Sequence, residues 1–460
     1  MQLAIHKVLQ GYSRGTFDLS GNENNHYGTL RIHIDTMDAP CDLVLENVSL
    51  PDNTVADVSI TRKKVSHIGA SGPCSLRIDC TGHIVIPAGI DMHVHMRGGI
   101  QSAKEDWKSG SISALSGGVT VVVDQPNTIP PLTTSHAFSA RVRDAASHSL
   151  CSFAINGGVN EDADLEGLWE CGAMSFGEIF CASSTYGPAI AAETLTSALS
   201  SIKSFDGLAT IHAEDIEVPN APDLVAHSCA RPPEGEIRAV KGVQRANRNK
   251  CRLHFCHMSS TGALMAASGI GSTEVTPHHL LLSFESMSDK NPFGKVNPPL
   301  RSEDERRRLW ENWDLIDIIA SDHAPHTRSE KQVGFSDAPS GIPGVETMIP
   351  LLMAQVLMGK CSLWSLVEKS CIRPAAILGI PQAGFFPGAR ADFAVFGKNM
   401  TRVDADNLHS KARWTPFQDF NAVFPRTVIM GGVPVFHKGD YSPGTPVWYH
   451  GRGYIPGRQS

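Results

Sequence analysis

The chain has 460 residues, of which 41% are hydrophobic and 19% are charged, and its formal net charge is -7. This length predicts two folding units, and the composition excludes a disordered or fibrous protein. Because no long basic run accompanies the negative net charge, we expect a small-molecule substrate, and neither a nucleic acid nor a membrane as partner.

The cysteines and the hydropathy indicate a reducing compartment. The 11 cysteines form no C-x-x-C pair, which argues against both a disulfide framework and a zinc knuckle. No stretch of about 18 apolar residues occurs, and residues 1–15 lack the apolar core and the cleavage site of a signal peptide. The sequence therefore predicts a cytoplasmic protein.

The pattern of hydrophobic residues changes along the chain. Residues 1–40 show weak periodicity and are interpreted as an N-terminal extension, whereas residues 41–88 alternate apolar and polar positions like the strands of a small sheet. Over 89–383, apolar strands alternate with helical stretches, and the strand pattern returns over 384–460. The predicted fold class is α/β: a (β/α)8 TIM-type barrel over 89–383 with a small flanking β-sandwich domain built from both ends of the chain.

Eight apolar runs account for the strands of the predicted barrel. They are IDMHVHM, TVVVDQPN, CSFAINGG, MSFGEIF, LATIHAED, RLHFCHMS, TEVTPHH and DIIASDHA. The side chains that perform chemistry in such a barrel lie at the carboxyl ends of the strands. The polar residues found where these runs end are His95, Asn127, Glu178, His212, His257 and Asp322.

His93 and His95 form an H-x-H pair at the end of the first run. Alternate residues of a strand face the same side, so both imidazoles can reach one metal ion. His212, His257 and Asp322 end later runs and complete a ligand set that suits one or two zinc ions and leaves a position for water. A group of structural barrel histidines is the alternative. Supporting or packing roles are assigned to His254, His278, His279 and His323.

Other polar residues predict substrate chemistry at the same mouth. Asp322 can also act as a base that takes a proton from water and returns it to the leaving nitrogen, with a capping aspartate as the alternative. Arg97 follows His95 by two residues, so its guanidinium is placed to bind a substrate carboxylate. Asn127 and Asn297 could hydrogen-bond an amide-like ring, although loop asparagines commonly form turns.

Together these residues resemble the dihydroorotases of the amidohydrolase superfamily, in the branch that also contains allantoinases and hydantoinases. The matching segments include IPAGIDMHVHMRGG, VDQPNTIPPLTT, IHAED, LHFCHMSS, EVTPHHL, KVNPPLR, SDHAPHTRSEK and APSGIPGVET, in this order from about residue 41 to 435. The resemblance implies a reversible, zinc-dependent cyclisation of N-carbamoyl-L-aspartate to (S)-dihydroorotate in pyrimidine biosynthesis. It leaves open a homo-oligomer or a complex with aspartate carbamoyltransferase.

The resemblance also implies roles for individual residues. The implied metal ligands are His93, His95, His212, His257 and Asp322, and Asp322 also carries the proton. The implied substrate-binding residues are His95, Arg97, Asn127, Asn297 and His326. Hydrolysis would then proceed by attack of a metal-activated water on the ring amide carbonyl.

The end of the fourth run departs from the family pattern. Many relatives carry a lysine there that is carboxylated and bridges two metal ions, but this chain has S-F-G-E-I-F over 175–180. Glu178 is the natural substitute and predicted metal ligand because it already carries a carboxylate, although the alignment also allows Gly177 at this position. The choice between one and two zinc ions depends on this residue.

Two other functions compete with this interpretation. An allantoinase or a dihydropyrimidinase would share the barrel and the metal site, but its substrate has no ring carboxylate for Arg97, Asn127 and Asn297 to bind. An inactive barrel that serves as a scaffold for a partner enzyme is expected to have lost its metal ligands. This chain retains the four histidines and Asp322, which favours an enzyme.

Overall fold

A computed structural model describes residues 41–183, 188–216 and 221–457, together with the backbone of two short strands, Gly15–Phe17 and Arg31–Ile34. The rest of the predicted N-terminal extension, residues 1–40, lies outside the described residues. We number these two strands β1 and β2, and the others follow in chain order.

Eight parallel strands form a closed barrel. They are β8 (Gly89–Val94), β9 (Val119–Asp124), β10 (Ser152–Ile155), β11 (Phe176–Phe180), β12 (Leu208–His212), β13 (Arg252–Phe255), β14 (Ser272–Val275) and β15 (Ile318–Ile319). Hydrogen bonds join neighbouring strands from β8 through β10 and from β11 through β15. The bridges between Gly157 and Phe176 and between Val94 and His323 close the circle. Each of the eight runs predicted from the sequence overlaps one of these strands.

Helices cover the outside of the barrel. They are α1 (Trp107–Ser116), α2 (Ser135–His148), α3 (Leu165–Glu170), α4 (Ala192–Ser204), α5 (Leu224–Ala230), α6 (Pro233–Ala246), α7 (Thr261–Ala267), α8 (Pro277–Leu281), α9 (Glu303–Glu311), α10 (Arg328–Lys331), α11 (Met348–Leu357), α12 (Leu363–Val367) and α13 (Arg373–Leu378). Several begin at a side chain that accepts a hydrogen bond from the first turn, such as Asp106, Thr134 and Asp223.

The main core lies between the strands and these helices. Phe153, Phe176 and Phe255 from the strands pack in one cluster with Phe138 and Val243 from the helices. Because both faces of a barrel strand are covered, β8 and β9 are buried along their whole length. Continuous apolar runs in the sequence reflect this double burial.

A small β domain is built from both ends of the chain. Its N-terminal strands are β3 (Leu43–Ser49), β4 (Val55–Thr61), β5 (Lys64–Gly69), β6 (Leu76–Asp79) and β7 (Ile84–Pro87). Its C-terminal strands are β16 (Phe393–Phe396), β19 (Pro425–Met430), β20 (Val433–His437) and β21 (Asp440–Tyr441), and between them lie β17 (Thr401–Arg402) and β18 (Asn421–Ala422). One sheet has the order β1-β2-β6-β3-β4-β5 and the other β21-β20-β19-β16-β7.

The two sheets share a core, in which Leu45 and Ile60 of the first pack with Phe393 and Ile429 of the second. The predicted fold class, a TIM-type barrel with a flanking β-sandwich, is therefore confirmed.

The segments after β16 do not all belong to the β-sandwich. Trp414 and Phe417 pack against Leu282 and Leu300 from the barrel loops, and the backbone of Tyr449 donates to Phe153 in β10. We propose that the barrel domain begins at residue 89 and ends at residue 383. Parts of the segment 384–460 belong to the β-sandwich, and other parts of it cover the barrel. No helix in the described part of the chain has the length and hydropathy that a membrane-spanning segment needs.

Candidate metal centre and substrate cavity

The structure brings the six predicted metal ligands together at the mouth of the barrel. They are His93, His95, Glu178, His212, His257 and Asp322, and none of them is more than 7% exposed. Five of them lie near or just after the carboxyl end of a barrel strand, and Glu178 lies within β11. Residues far apart in sequence thus meet because the barrel closes.

Glu178 lies at the centre of this group. Its Oε1 is 2.7 Å from Nδ1 of His212 and 2.7 Å from Nε2 of His257. Its Oε2 is 3.6 Å from Nε2 of His93. The two oxygens of one carboxylate therefore face different histidines, which is the arrangement that a bridging ligand requires.

Asp322 lies on the other side of His93. Its Oδ1 is 3.2 Å from Nε2 of His95 and 3.6 Å from Nε2 of His93. The ring centres of His93 and His95 are 5.5 Å apart, so the H-x-H pair faces one side of the strand as the alternation predicts.

Local backbone geometry explains how the short side chain of Glu178 reaches the centre. Strand β11 contains one residue more than β12 between the pairs Phe176 to Ala209 and Ile179 to Ile211, which is a bulge. Gly177 within it has a φ of +122°, and a Cβ atom there would lie 2.2 Å from the carbonyl oxygen of Thr210. The bulge therefore needs a glycine at position 177. The residue of this strand whose side chain enters the cluster is Glu178.

Three site residues have left-handed backbone conformations. The φ angles are +48° at Arg97, +35° at His257 and +44° at Asp322. Side chains other than glycine rarely adopt such angles, and the strain is typically held at functional sites by the surrounding packing. This geometry turns the three side chains at the points where their strands end.

The cluster is electrostatically suited to a cation. Burial alone would raise the pKa of Glu178, but the neighbouring His93, His212 and His257 hold it well below its usual range. Burial also favours neutral His212, yet Glu178 and Glu214 raise the pKa of this imidazole to about 9. Ionised carboxylates thus lie among buried imidazoles, and the charge of a metal ion would compensate the charge of these carboxylates.

The donor atoms fit such an ion. In His93, Glu178 and His257, one ligand atom from each lies within 4.8 Å of the others, and the same is true of His93, His95 and Asp322. The Nε2 of His93, which belongs to both groups, is buried and has no hydrogen-bond partner among the described residues. The cluster is therefore capable of holding metal.

Glu274 supports the cluster and was missed by the sequence analysis. Its Oε1 is 3.0 Å from Nδ1 of His93 and accepts a hydrogen bond from the backbone of His257, while its Oε2 is 3.1 Å from His254. A carboxylate in this position fixes the imidazole so that the opposite nitrogen of His93 would be free to hold a metal ion. Glu274 is part of the segment EVTPHHL, but its place in the sequence did not reveal its contact with His93.

Substitution of Glu274 by alanine should weaken metal binding. Without its carboxylate, Nδ1 of His93 has no acceptor and the ring can rotate, so we expect the metal affinity to fall by about 10- to 100-fold. Titration of the metal-free protein measures this change directly. Glu285→Ala, an alanine substitution in the same region at a surface carboxylate, should bind metal as the wild type does; equal affinities in the two variants would contradict the supporting role.

A second supporting contact involves Glu214 and Arg231. The Oε2 of Glu214 is 2.9 Å from Nε2 of His212 and also pairs with Arg231. Burial would raise the pKa of Glu214, but Arg231 and His212 lower it to about 2. In the segment IHAED, Glu214 follows His212 by two residues. This spacing could have suggested the contact between the two side chains.

A cavity opens from the cluster toward the loops of the barrel mouth. Besides His95, Glu178, His212, His257 and Asp322, it is lined by Arg97, Asn127, Phe180, Ser183, Arg231, Val296, Asn297, Ala324, Ser340 and Gly341. The structure therefore places the predicted substrate-binding residues Arg97, Asn127 and Asn297 beside the cluster. Arg231 adds a second buried guanidinium that the sequence analysis missed.

His326 lies behind the cavity wall. Its Nδ1 is 3.2 Å from Nζ of Lys104, and its Nε2 donates to the carbonyl oxygen of Ser340. Burial, together with the charges of Arg97, Lys104 and Lys331, lowers the pKa of His326 to about 2. In this structure the ring holds the Ser340 loop and does not line the cavity, so direct substrate contact by His326 stays a prediction.

Lys331 holds the same loop. Its side chain is fully buried, and Nζ donates to the carbonyl oxygens of Lys295, Pro339 and Gly341. Because Ser340 and Gly341 line the cavity, Lys331 fixes one of its walls. The four histidines assigned supporting roles are likewise buried near the site; His254 contacts Glu274 as described.

Comparison with known proteins agrees with this fold. The sequence pattern described as the amidohydrolase family matches residues 84–435. The chain belongs to the amidohydrolase family. The resemblance inferred from the sequence motifs is thereby confirmed.

Relatives within the amidohydrolase family include a dihydroorotase from Methanosarcina acetivorans, which is 37% identical over 431 residues and aligned over 86% of this chain and 92% of its own. A dihydroorotase from Halobacterium salinarum is also 37% identical, over 85% of this chain and 96% of its own. Among solved structures, the L-hydantoinase (dihydropyrimidinase) of Arthrobacter aurescens has a TM-score of 0.83 and 26% identity, covering 87% of this chain and 97% of that protein.

Proposed function

We propose that this amidohydrolase is a dihydroorotase, which interconverts N-carbamoyl-L-aspartate and (S)-dihydroorotate in pyrimidine biosynthesis. The observation that carries the proposal is the guanidinium of Arg97, 4% exposed, in the wall of the same cavity as the cluster of histidines and carboxylates. A buried guanidinium beside a cation site calls for an anionic substrate, and the ring carboxylate of dihydroorotate supplies the charge.

Substrate orientation follows from the two ends of the cavity. Arg97 and Asn127 would bind the ring carboxylate, and Asn297 would hydrogen-bond the ring amides. These contacts would turn the amide carbonyl that lies between a ring nitrogen and the ring methylene toward Asp322 and the histidines. Arg231 adds positive charge to the same wall, which supports an anion there.

We propose zinc as the metal because its preferred ligands, neutral imidazoles and carboxylates, make up the cluster. His93, His95, Glu178, His212, His257 and Asp322 would hold one or two zinc ions. Zinc bound there would polarise the carbonyl and lower the pKa of a water molecule to near neutrality.

Asp322 would carry the proton. In hydrolysis its carboxylate takes a proton from water as the oxygen attacks the carbonyl carbon, and it then gives that proton to the ring nitrogen as the carbon–nitrogen bond breaks. Cyclisation is the reverse: the ureido nitrogen attacks the protonated side-chain carboxyl of carbamoyl-aspartate and gives its proton to Asp322. Asp322 then passes that proton to the hydroxyl oxygen of the carboxyl as the carbon–oxygen bond breaks, and the oxygen leaves as water. His278 interacts electrostatically with the carboxylate of Asp322. Burial lowers the pKa of the His278 imidazole to about 4, so this ring is neutral at neutral pH.

The second candidate is a hydantoinase or dihydropyrimidinase, favoured by the fold similarity to the Arthrobacter enzyme. Turnover of dihydroorotate, dihydrouracil, hydantoin and allantoin by the zinc-loaded protein, measured side by side with zinc content, tests the two. Dihydroorotate should be hydrolysed with the highest kcat/KM. A clear preference for an uncharged ring would overturn the proposal, and a metal-loaded protein that turns over none of them would favour a scaffold.

Replacement of Arg97 should act on dihydroorotate binding. In Arg97→Ala the ring carboxylate loses a charge-assisted hydrogen bond, so KM for dihydroorotate should rise at least about tenfold. Arg97→Lys should recover part of this loss, because lysine supplies the charge without the planar fork. Steady-state kinetics with dihydroorotate and dihydrouracil make the comparison; an unchanged KM for dihydroorotate in Arg97→Ala would remove the substrate assignment's main support.

We also propose a cytoplasmic location. All 11 cysteines are unpaired in the structure, and most of them are buried. Free thiols are typical of a reducing compartment. Self-association and a complex with aspartate carbamoyltransferase are further proposals, which sedimentation of the protein alone and with that enzyme would separate.

A further inference from the structure

A second cavity, of about 680 Å³, lies beside the ends of β11 and β12 on the outer side of the barrel. Helices α4 and α6 form much of its wall. Phe180 and His212 line the substrate cavity, whereas Cys181 and Glu214 line the second one. The carboxyl ends of β11 and β12 therefore separate the two cavities.

The rim of the second cavity is basic. Arg238, Lys241, Arg245 and Arg248 line it; the first three recur every three or four residues on one side of α6, and Arg248 lies in the turn that follows the helix. Asp215 pairs with Arg238 at 2.8 Å. Lys241, Arg245 and Arg248 have no carboxylate at ion-pair distance among the described residues. A row of cations alone would indicate a solvated helix face, but this row borders a cavity large enough for an organic ligand.

The wall behind the rim is apolar and ends at a buried acceptor. Ile190, Leu195, Val243 and Ala246 supply its apolar surface. Glu214 is fully buried, and its Oε1 has no hydrogen-bond partner among the described residues. An unmatched buried carboxylate oxygen is costly, and an N–H or O–H group of a ligand would satisfy it. From its rim inward, the cavity thus offers cationic side chains, then an apolar surface, and then a hydrogen-bond acceptor.

We propose that this second cavity binds a nucleoside phosphate as an effector. Phosphate oxygens would contact Lys241, Arg245 and Arg248, the flat base would lie on the apolar wall, and a donor on the base or the sugar would reach Glu214. Glu214 also holds His212 through its other oxygen at 2.9 Å. Binding would therefore change the position of a predicted metal ligand, and occupancy of one cavity would be coupled to the other.

Calorimetry with the full-length, zinc-loaded protein tests the site without reference to its enzymatic activity. The titrants are purine and pyrimidine nucleoside triphosphates and inorganic tripolyphosphate. We expect at least one nucleoside triphosphate to bind more tightly than tripolyphosphate, and the double variant Lys241→Glu, Arg245→Glu to weaken it at least about tenfold. The control is Arg143→Glu, a charge reversal at an exposed arginine of α2, which should leave the affinity unchanged.

Ala246→Trp provides a second variant that keeps every charge but fills the apolar part of the cavity, and it should also abolish binding. Circular dichroism confirms that each variant is folded. The proposal is overturned if no nucleotide binds at millimolar concentration, if tripolyphosphate binds equally well, or if neither variant weakens binding. It is also overturned if saturating dihydroorotate displaces the nucleotide competitively, because the ligand would then occupy the substrate cavity. The titrations with nucleotides and tripolyphosphate, in the wild type and in the variants, give their result whether or not the protein hydrolyses dihydroorotate.

Discussion

In the Asp322→Asn protein, kcat for dihydroorotate should fall at least about a hundredfold in both directions, while the fold and much of the bound zinc remain. Asparagine keeps an oxygen that can face His93 and His95, but its amide cannot take the proton of the attacking water. Glu178, the other carboxylate among the predicted ligands, faces His212 and His257 with one oxygen and His93 with the other, so it is not placed to replace Asp322. The proton transfer should therefore be lost rather than rerouted.

The measurement needs turnover and metal content from the same samples. Asp314→Asn, at an exposed position before β15, is the matched control and should keep the rates of the wild type. Near-normal kcat in Asp322→Asn with full zinc would remove Asp322 from the reaction. Loss of zinc in parallel with kcat would instead assign Asp322 to metal binding alone.

The positions of the predicted ligands were readable from the sequence because each ends an apolar run. A barrel strand is buried on both faces, so a histidine or an aspartate at its end is a strong break in the pattern. His95, His257 and Asp322 were found in this way, and the structure brings them together around His93. The order of the strands, together with the closure of the barrel, was enough to predict this convergence.

The residues that support these ligands could not be read from the same pattern. Glu274 lies within an ordinary strand, and its contact with His93 joins residues separated by 181 positions. Arg231 begins no motif, yet it pairs with Glu214 and lines the cavity. Such contacts depend on the side-chain packing of neighbouring strands, which hydrophobic periodicity does not encode. The contact of His326 with the Ser340 loop was likewise not readable from the sequence, and its role in substrate binding stays a prediction.

Glu178→Ala should lose one equivalent of zinc and at least about a hundredfold in turnover. One carboxylate oxygen lies 2.7 Å from both His212 and His257 and the other faces His93, so the side chain is placed to join two ions. Its removal would leave the donors of one group incomplete, whereas the group of His93, His95 and Asp322 would still hold an ion.

The same geometry predicts that no carbon dioxide is needed for assembly of the centre. A lysine bridge must first be carboxylated, but a glutamate is anionic at neutral pH, with a reference pKa of about 4.3. The bulge at Gly177 brings this shorter side chain to the centre, so the metal-free protein should regain full activity with zinc in bicarbonate-free buffer. Glu166→Ala, at an exposed glutamate of α3, is the control for zinc content and rate. Unchanged zinc and turnover in Glu178→Ala, or activation of the wild type by bicarbonate, would show that Glu178 is not the bridging ligand.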